Sequence, residues 1–365
     1  MLGIVRSWFD RLFAEEETVV LLLLIVACLL LMLTLGNVLV PIMASIVLAF
    51  MMQGLMARLI GMGVSRWLTI TITYTVFVTI FFGVLVVLLP LVWQQLTNLF
   101  QELPVMLRQL QHLLLLLPQR SEMFTEQQIR EWMALASKEL GSVGQYLLSF
   151  SIAQLPNVLG VMINIVLIPI LVFFFLKDKE TILGWMASFL PGRRPLLKAV
   201  WAEANVQVAN YVRGKAVEIV IVGVVSYVAF VVIGLNYPAL LALAVGLSVV
   251  IPYIGAAVVT LPVLLVGFIQ WGWGGEFLTL FIVYSVIQAL DGNVLVPLLF
   301  SEAVNMHPVA IIVAVLAFGG IWGIWGVFFA IPLATLVKAI LYAWPRPKTP
   351  ELHPNDMLLG ESGDI

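Results

Sequence analysis

Between Ile219 and Gly275, fifty-seven consecutive residues pass without an Asp, Glu, Lys or Arg. Two further runs share this character: Thr18–Ala57, forty residues, and Trp67–Gln101, thirty-five. About 20 apolar residues are enough for one helix to cross the ~30 Å hydrocarbon core of a bilayer. The longest runs therefore hold more than one crossing, and they lack the period-two alternation of barrel strands. The chain reads as an all-α, polytopic membrane protein with about eight transmembrane helices. Composition agrees, since 10% of the 365 residues are charged, against ~25% in soluble domains. A net charge of −2 implies no nucleic-acid partner. Cys28, the one cysteine, falls mid-span and reads as packing.

Punctuation divides the chain. Residues 1–17 mix Trp8, Phe9, Leu12 and Phe13 with Arg6 and Arg11, the pattern of a helix lying on a membrane surface. Glu15, Glu16 and Glu17 precede a long apolar run, unlike a cleaved leader, so the N-terminus is expected to be retained. Residues 18–93 hold transmembrane helices 1 to 3. Gly36-Asn37 is a turn signal and predicts a hairpin of 18–36 with 38–57, followed by a third span over 67–92. Residues 94–156 carry four basic and five acidic residues on helical amphipathic spacing, and form an outer-side helical segment. A fourth span covers 157–176. Seven basic residues lie in 177–215, which the positive-inside rule places in the cytoplasm. Parity then puts both termini on the cytoplasmic side and 94–156 outside. The remainder is a transmembrane core, 216–343, and a flexible cytoplasmic tail, 344–365.

The core is interrupted by Pro238, Pro252, Pro262, Pro297, Pro308 and Pro332. Breaks in a membrane helix persist only where protein or water satisfies the freed backbone groups. Re-entrant or broken helices are expected over 237–271 and 303–320. Within Phe277–Phe300, Asp291 is the single charge, and no Lys or Arg lies between Lys215 and Lys338. Tyr284, Gln288 and Asp291, at i, i+4 and i+7, share one helix face. Gly292-Asn293 and Pro297 follow. A charge at mid-membrane costs at least ~2.5–3.5 kcal/mol and marks ion or substrate pathways. Asp291 is therefore expected to hold a proton or a cation, or to accept hydrogen bonds from a broken helix; the plainer reading is a helix cap at the lipid boundary.

Four other features are weighed in the same way. Pro252, Gly255 and Pro262 frame an unwound stretch over 250–262, either a substrate site or a hairpin turn. Gly319, Gly320, Gly323 and Gly326 read as a packing face or hinge. His307 before Pro308 reads as a loop residue. Lys215 and Glu218, three apart, read as a helix-surface pair at the cytoplasmic boundary. HExxH, GxSxG, CxxC and Walker A patterns are missing, so no enzyme is expected. His112, His307 and His353 are too spread to suggest a metal site.

The segments "FFFLKDKE", "YVRGK", "GLNYPALLALAVGLSVVIPYIGAAVVTLP" and "QALDGNVLVPLLFSEAVNMHPVAIIVAVLAFGGIWGIWGVFFAIPLATLVKAI" resemble the autoinducer-2 exporter family, in its PerM-like permease branch. "RLFAEEETVVLLLLIVA" and "LPLVWQQL" extend the likeness into the first half. The resemblance implies a bacterial inner-membrane transporter and a homo-oligomer such as a pentamer. It matches the family's acidic position before "GN" to Asp291, its following proline to Pro297, and its "IPyiG" to Ile251–Gly255. The expected function is a permease or exporter of a small polar solute, such as a signalling molecule, coupled to H+ or Na+ and needing no cofactor. Gln288 and Asn293 would supply neutral polar contacts, and Pro252, Gly255 and Pro297 would hold helix breaks open. The competing class is a non-transporting scaffold that binds envelope or cell-division partners through 94–156 and 177–215.

Overall fold

The computed structural model describes residues 16–114, 127, 131, 134, 135, 158–300 except 193 and 253, and 306–343. The expected surface helix over 1–15, the outer segment beyond Leu114 apart from four residues, and the tail lie outside the described residues. Every element described is helical. Among the described residues, seven helices are long and apolar enough to cross a membrane. Their outward faces carry exposed Leu, Ile, Val and Phe, as lipid-facing surfaces require.

Helix α1 runs from Glu16 to Gly61 without interruption. The hairpin expected at Gly36-Asn37 is not formed. A glycine inside a helix costs only about 1 kcal/mol, whereas an opened backbone in lipid costs several per group. The 46 residues make a rod about 69 Å long at 1.5 Å per residue. Its second half packs on later helices, with Ser45 Oγ donating to Pro41 O at 2.6 Å and reaching Ile168 O at 3.3 Å. Leu23, Leu30 and Val38 in the first half are exposed.

Helices α2 (Arg66–Gly83) and α3 (Leu89–Leu114) are joined by one wide π turn, Val84–Leu88. The third span and the start of the amphipathic segment are thus one rod. Helix α4 (Val158–Lys177) and the short α5 (Lys179–Ser188) follow. Then comes α6, Pro195–Ile233, the longest helix of the second half. It touches α1 and most of what succeeds it: α7 (Pro238–Ser248), α9 (Gly275–Leu290), α10 (Val296–Phe300) and α12 (Ala330–Ala343). Helix α8 spans Ile254–Trp271, and α11 spans Pro308–Phe328.

Breaks interrupt this half in two places, one inside the expected 237–271 and one at Gly323, just beyond the expected 303–320. Helix α6 ends at Gly234 with φ 79°, and Tyr237 at φ 57° redirects the chain into Pro238. Helix α7 then has 11 residues, about 17 Å, roughly half of a ~30 Å core. Residues 249–252 are non-helical before α8 begins. The unwound stretch is therefore shorter than the sequence suggested, because α8 starts at Ile254 and carries Pro262 within it. The second break is in α11, where Gly323 has φ 60° and ψ −138°. A Cβ on Gly326 would lie 1.9 Å from Phe318 O, and one on Gly319 would lie 2.8 Å from Val327 Cγ2. Residues eight apart in a straight helix are about 12 Å apart along the axis, so the chain doubles back at Gly323. The glycine run serves both readings offered for it: Gly323 is the hinge, and Gly319 and Gly326 are the packing face between the arms.

Close approach positions α7 on α6. A Cβ on Gly246 would sit 2.9 Å from Ile219 O and 3.1 Å from Gly223 Cα. Val222, Phe230, Leu241, Val245 and Val263 close around that contact. Overpacking of this kind costs about 1–3 kcal/mol or more. Gly246→Val is expected to lower the unfolding temperature of the purified protein, read by intrinsic fluorescence. Gly61→Ala, whose Cβ meets nothing within 4 Å, is expected to leave it unchanged.

Candidate functional site

Two α-helical faces meet at one place. Tyr211, Lys215 and Glu218 occupy i, i+4 and i+7 on α6; Gln288 and Asp291 occupy one face at the end of α9. Together they line a cavity of about 410 Å3. The loop after α7 contributes Val249, Ile251 and Pro252, and the start of α11 contributes Ile311. Between Asp291 and Leu295 the helix widens into a second π turn, with Val296 N–H donating to Asp291 O. The first π turn precedes Pro90 and this one precedes Pro297, at the same offset. A proline clashes with the carbonyl four residues back, and an i→i+5 turn relieves that clash without cutting the helix. The chain near Asp291 is therefore widened rather than broken, contrary to the helix break expected there from Gly292-Asn293 and Pro297.

Lys215 was not expected at the site. Its side chain is 5% exposed, and Glu218's is 2%. The expected surface pair is thus a buried ion pair, with Nζ 2.7 Å from Glu218 Oε2. The same ammonium donates to Val249 O at 2.7 Å and lies 5.1 Å from the Phe300 ring centroid. Gly214 allows that ring to approach, since a Cβ there would stand 2.8 Å from Phe300 Cε1. Burying a charge requires a partner and hydrogen bonds, and Lys215 has a carboxylate, a carbonyl and an aromatic face. Lys215 brings a cation to the cavity that Asp291 also lines, its ion pair being with Glu218.

Three polar atoms around the cavity have no hydrogen-bond partner among the described residues: Tyr211 OH, Glu218 Oε2 and Asp291 Oδ1. Glu218 Oε2 is close to Lys215 without meeting hydrogen-bond geometry. With both carboxylates ionised, Lys215, Glu218 and Asp291 carry a formal charge of −1.

The other expected residues divide. Gln288, Pro252 and Pro297 line the cavity. Tyr284 lies behind it: its hydroxyl accepts from Gln288 Nε2 at 2.6 Å and is 3.1 Å from Thr260 Oγ1, which fixes the Gln288 amide. Asn293 turns away, donating from Nδ2 to Ala289 O at 2.8 Å on its own helix. Gly255 is a packing position, because a Cβ would lie 1.7 Å from Ser248 O. His307 caps α11, its Nδ1 accepting from Val309 N–H. Tyr211, Lys215 and Glu218 were missed, although "YVRGKAVE" repeats the spacing of "YSVIQALD": tyrosine, then a polar residue at +4 and an acid at +7.

The far end of α7 is gripped from α3. Gln95 Oε1 accepts from Leu240 N–H at 2.9 Å, in the first turn of α7 where N–H groups lack helical partners. Tyr237 OH donates to Glu102 Oε2 at 2.6 Å. Burial, and then that carboxylate, hold the Tyr237 hydroxyl above the ordinary tyrosine range. Gln270 bridges Asn236 N–H and Gly234 O, at 2.8 Å each.

Breaking a buried ion pair by removing one partner costs about 3–5 kcal/mol, and removing both charges costs far less. Lys215→Met is expected to lower stability by that amount. Lys215→Met with Glu218→Gln is expected to recover most of it, in denaturant unfolding of the purified protein.

Comparison with known proteins adds kinship. The family model described as AI-2E family transporter matches residues 19–346. The chain is 45% identical over 347 residues to "Putative permease PerM" of Escherichia coli (strain K12), covering 94% of this chain and 98% of that one. It is 28% identical to "Putative transport protein YueF" of Bacillus subtilis (strain 168), over 77% of this chain and 78% of that one. A second Bacillus subtilis relative, "Putative transport protein YrrI", is 26% identical over 87% of this chain and 89% of its own length.

Proposed function

The chain belongs to the AI-2E family of transporters, and we propose that it carries a small polar solute through the cavity at Asp291, coupled to H+ or Na+. The observation that carries this reading is an acidic oxygen without a partner, Asp291 Oδ1, on a mostly apolar cavity beside the buried Lys215–Glu218 pair. A fully paired cluster would be structural. One with a formal charge of −1 and unpartnered acceptors has capacity for a positive equivalent. The 249–252 loop and the widened π turn flank the cavity, and irregular segments of this kind line the sites of transporters. Asp291 takes the proton or cation, Gln288 and Tyr211 offer neutral polar contacts, and Lys215 ties the loop to α6. Asn293, bonded to its own helix, drops out of this role. The protein works in the bacterial inner membrane as a homo-oligomer, with the C-terminus and the basic loop in the cytoplasm; with α1 unbroken, the parity that put the N-terminus on the same side loses one crossing.

The scaffold reading draws on α3, whose rod continues beyond the membrane-length segment and is clasped to α7 through Gln95 and Glu102.

Flux into proteoliposomes across imposed pH and Na+ gradients separates the two. Asp291→Asn is expected to lower gradient-driven flux about tenfold, which corresponds to roughly 1.4 kcal/mol, and Asn293→Ala to leave it near wild type. Equal flux for wild type and Asp291→Asn would remove the carboxylate mechanism. Orientation is tested separately. In a Cys28→Ser background, Thr181→Cys is expected to react with an impermeant maleimide only once the cytoplasmic face is opened, and Gln109→Cys in intact cells whose outer membrane has been permeabilised.

A further inference from the structure

We propose that the cavity takes the primary ammonium group of a small amphipathic amine. This rests on the reading of the cavity as the solute site and names the solute's chemistry. Three observations carry it. First, two polar atoms at the cavity are without a partner among the described residues and can accept: the carboxylate oxygen Asp291 Oδ1 and the hydroxyl of Tyr211, a residue only 2% exposed, while Glu218 Oε2 beside them is held by Lys215 at 2.7 Å. An ammonium supplies three N–H donors and no acceptor. Second, the charge is matched. The ionised cluster is formally −1, so one monocation neutralises it, whereas a carboxylate solute would face two like charges and a neutral polyol would leave the deficit. Third, the walls are apolar: Val249, Ile251, Val296, Ile311 and Ile331 line the same cavity. They suit a short hydrocarbon tail, and about 410 Å3 falls in the range of small-molecule sites.

Lys215 does not pre-empt the position. Its ammonium is engaged by Val249 O, Glu218 and the Phe300 ring. The titratable groups lining the cavity are Tyr211, Lys215 and Glu218 from α6 and Asp291 from the π turn. The described residues contributed by the 249–252 loop, α8, α10, α11 and α12 carry no charge.

The test uses the full chain purified in detergent, with thermal unfolding and calorimetry as readouts. The probes are n-butylammonium, n-butanol, butyrate and NaCl. Saturable protection by n-butylammonium is expected, with none from n-butanol or butyrate at equal concentration. Tyr211→Phe and Asp291→Asn are each expected to weaken the apparent affinity about tenfold, and Asn293→Ala to leave it unchanged. Equal protection by n-butanol or butyrate overturns the proposal, as does protection by Na+ without n-butylammonium. Undiminished binding by Asp291→Asn also overturns it. Should either variant fail to fold, the wild-type probe series decides alone. The two readings fail separately. Flux that depends on Asp291 with no amine binding sinks the ammonium assignment and leaves the transporter. Amine binding with flux indifferent to Asp291→Asn does the reverse.

Discussion

A single ammonium group holds the second half of this protein together. Lys215 leaves α6 and reaches Glu218 on its own helix, a free carbonyl at the tip of a half-length helix, and an aromatic ring on α10. A lysine removed from water tolerates burial only when its charge and donors are met, so all three neighbours must be in place at once. The short approach of α7 to α6 at Gly246 and Gly223, and the bare backbone at Gly214, are what bring them there. Asp291 then joins a cluster already organised around a cation.

The membrane class was legible because lipid permits few solutions: a long uncharged run can only be helical. The same constraint explains the error at Gly36-Asn37. A turn signal calibrated in water carries little weight where an opened helix has no solvent to bond, and α1 runs straight through it. Of the two breaks in the proline-rich half, the one at 249–252 falls within the expected 237–271, whereas the other sits at Gly323, beyond 303–320 and on a glycine rather than a proline. At Pro297 the interruption took a gentler form, a π turn, which local sequence does not distinguish from a break.

The candidate site was half legible. Asp291 stands out as a lone charge; its cavity neighbours Lys215 and Glu218 do not, because they form a pair that looks solvated on any isolated helix. Burial of that pair depends on α7 folding back over α6, a tertiary event set by glycines whose purpose appears only in three dimensions. Asn293 draws attention by standing two residues from Asp291, and Gly255 by the stretch that Pro252 and Pro262 frame. The structure turns one onto its own helix and uses the other for packing. The repeat of tyrosine, polar and acid spacing in α6 and α9 was the available clue, since side chains that share a helix face at the same offsets can meet across it.

The 11-residue length of α7 also bears on biogenesis. A segment too brief to cross cannot be threaded into the bilayer on its own hydrophobicity, and its tip exposes a carbonyl that only Lys215 satisfies among the described residues. The ribosome delivers α6 first, so the lysine waits in the growing chain without its loop. Insertion of this region is therefore a joint act of α6, α7 and α8, and a nascent chain halted before Ser248 would leave a charged helix without the shelter that its final form provides.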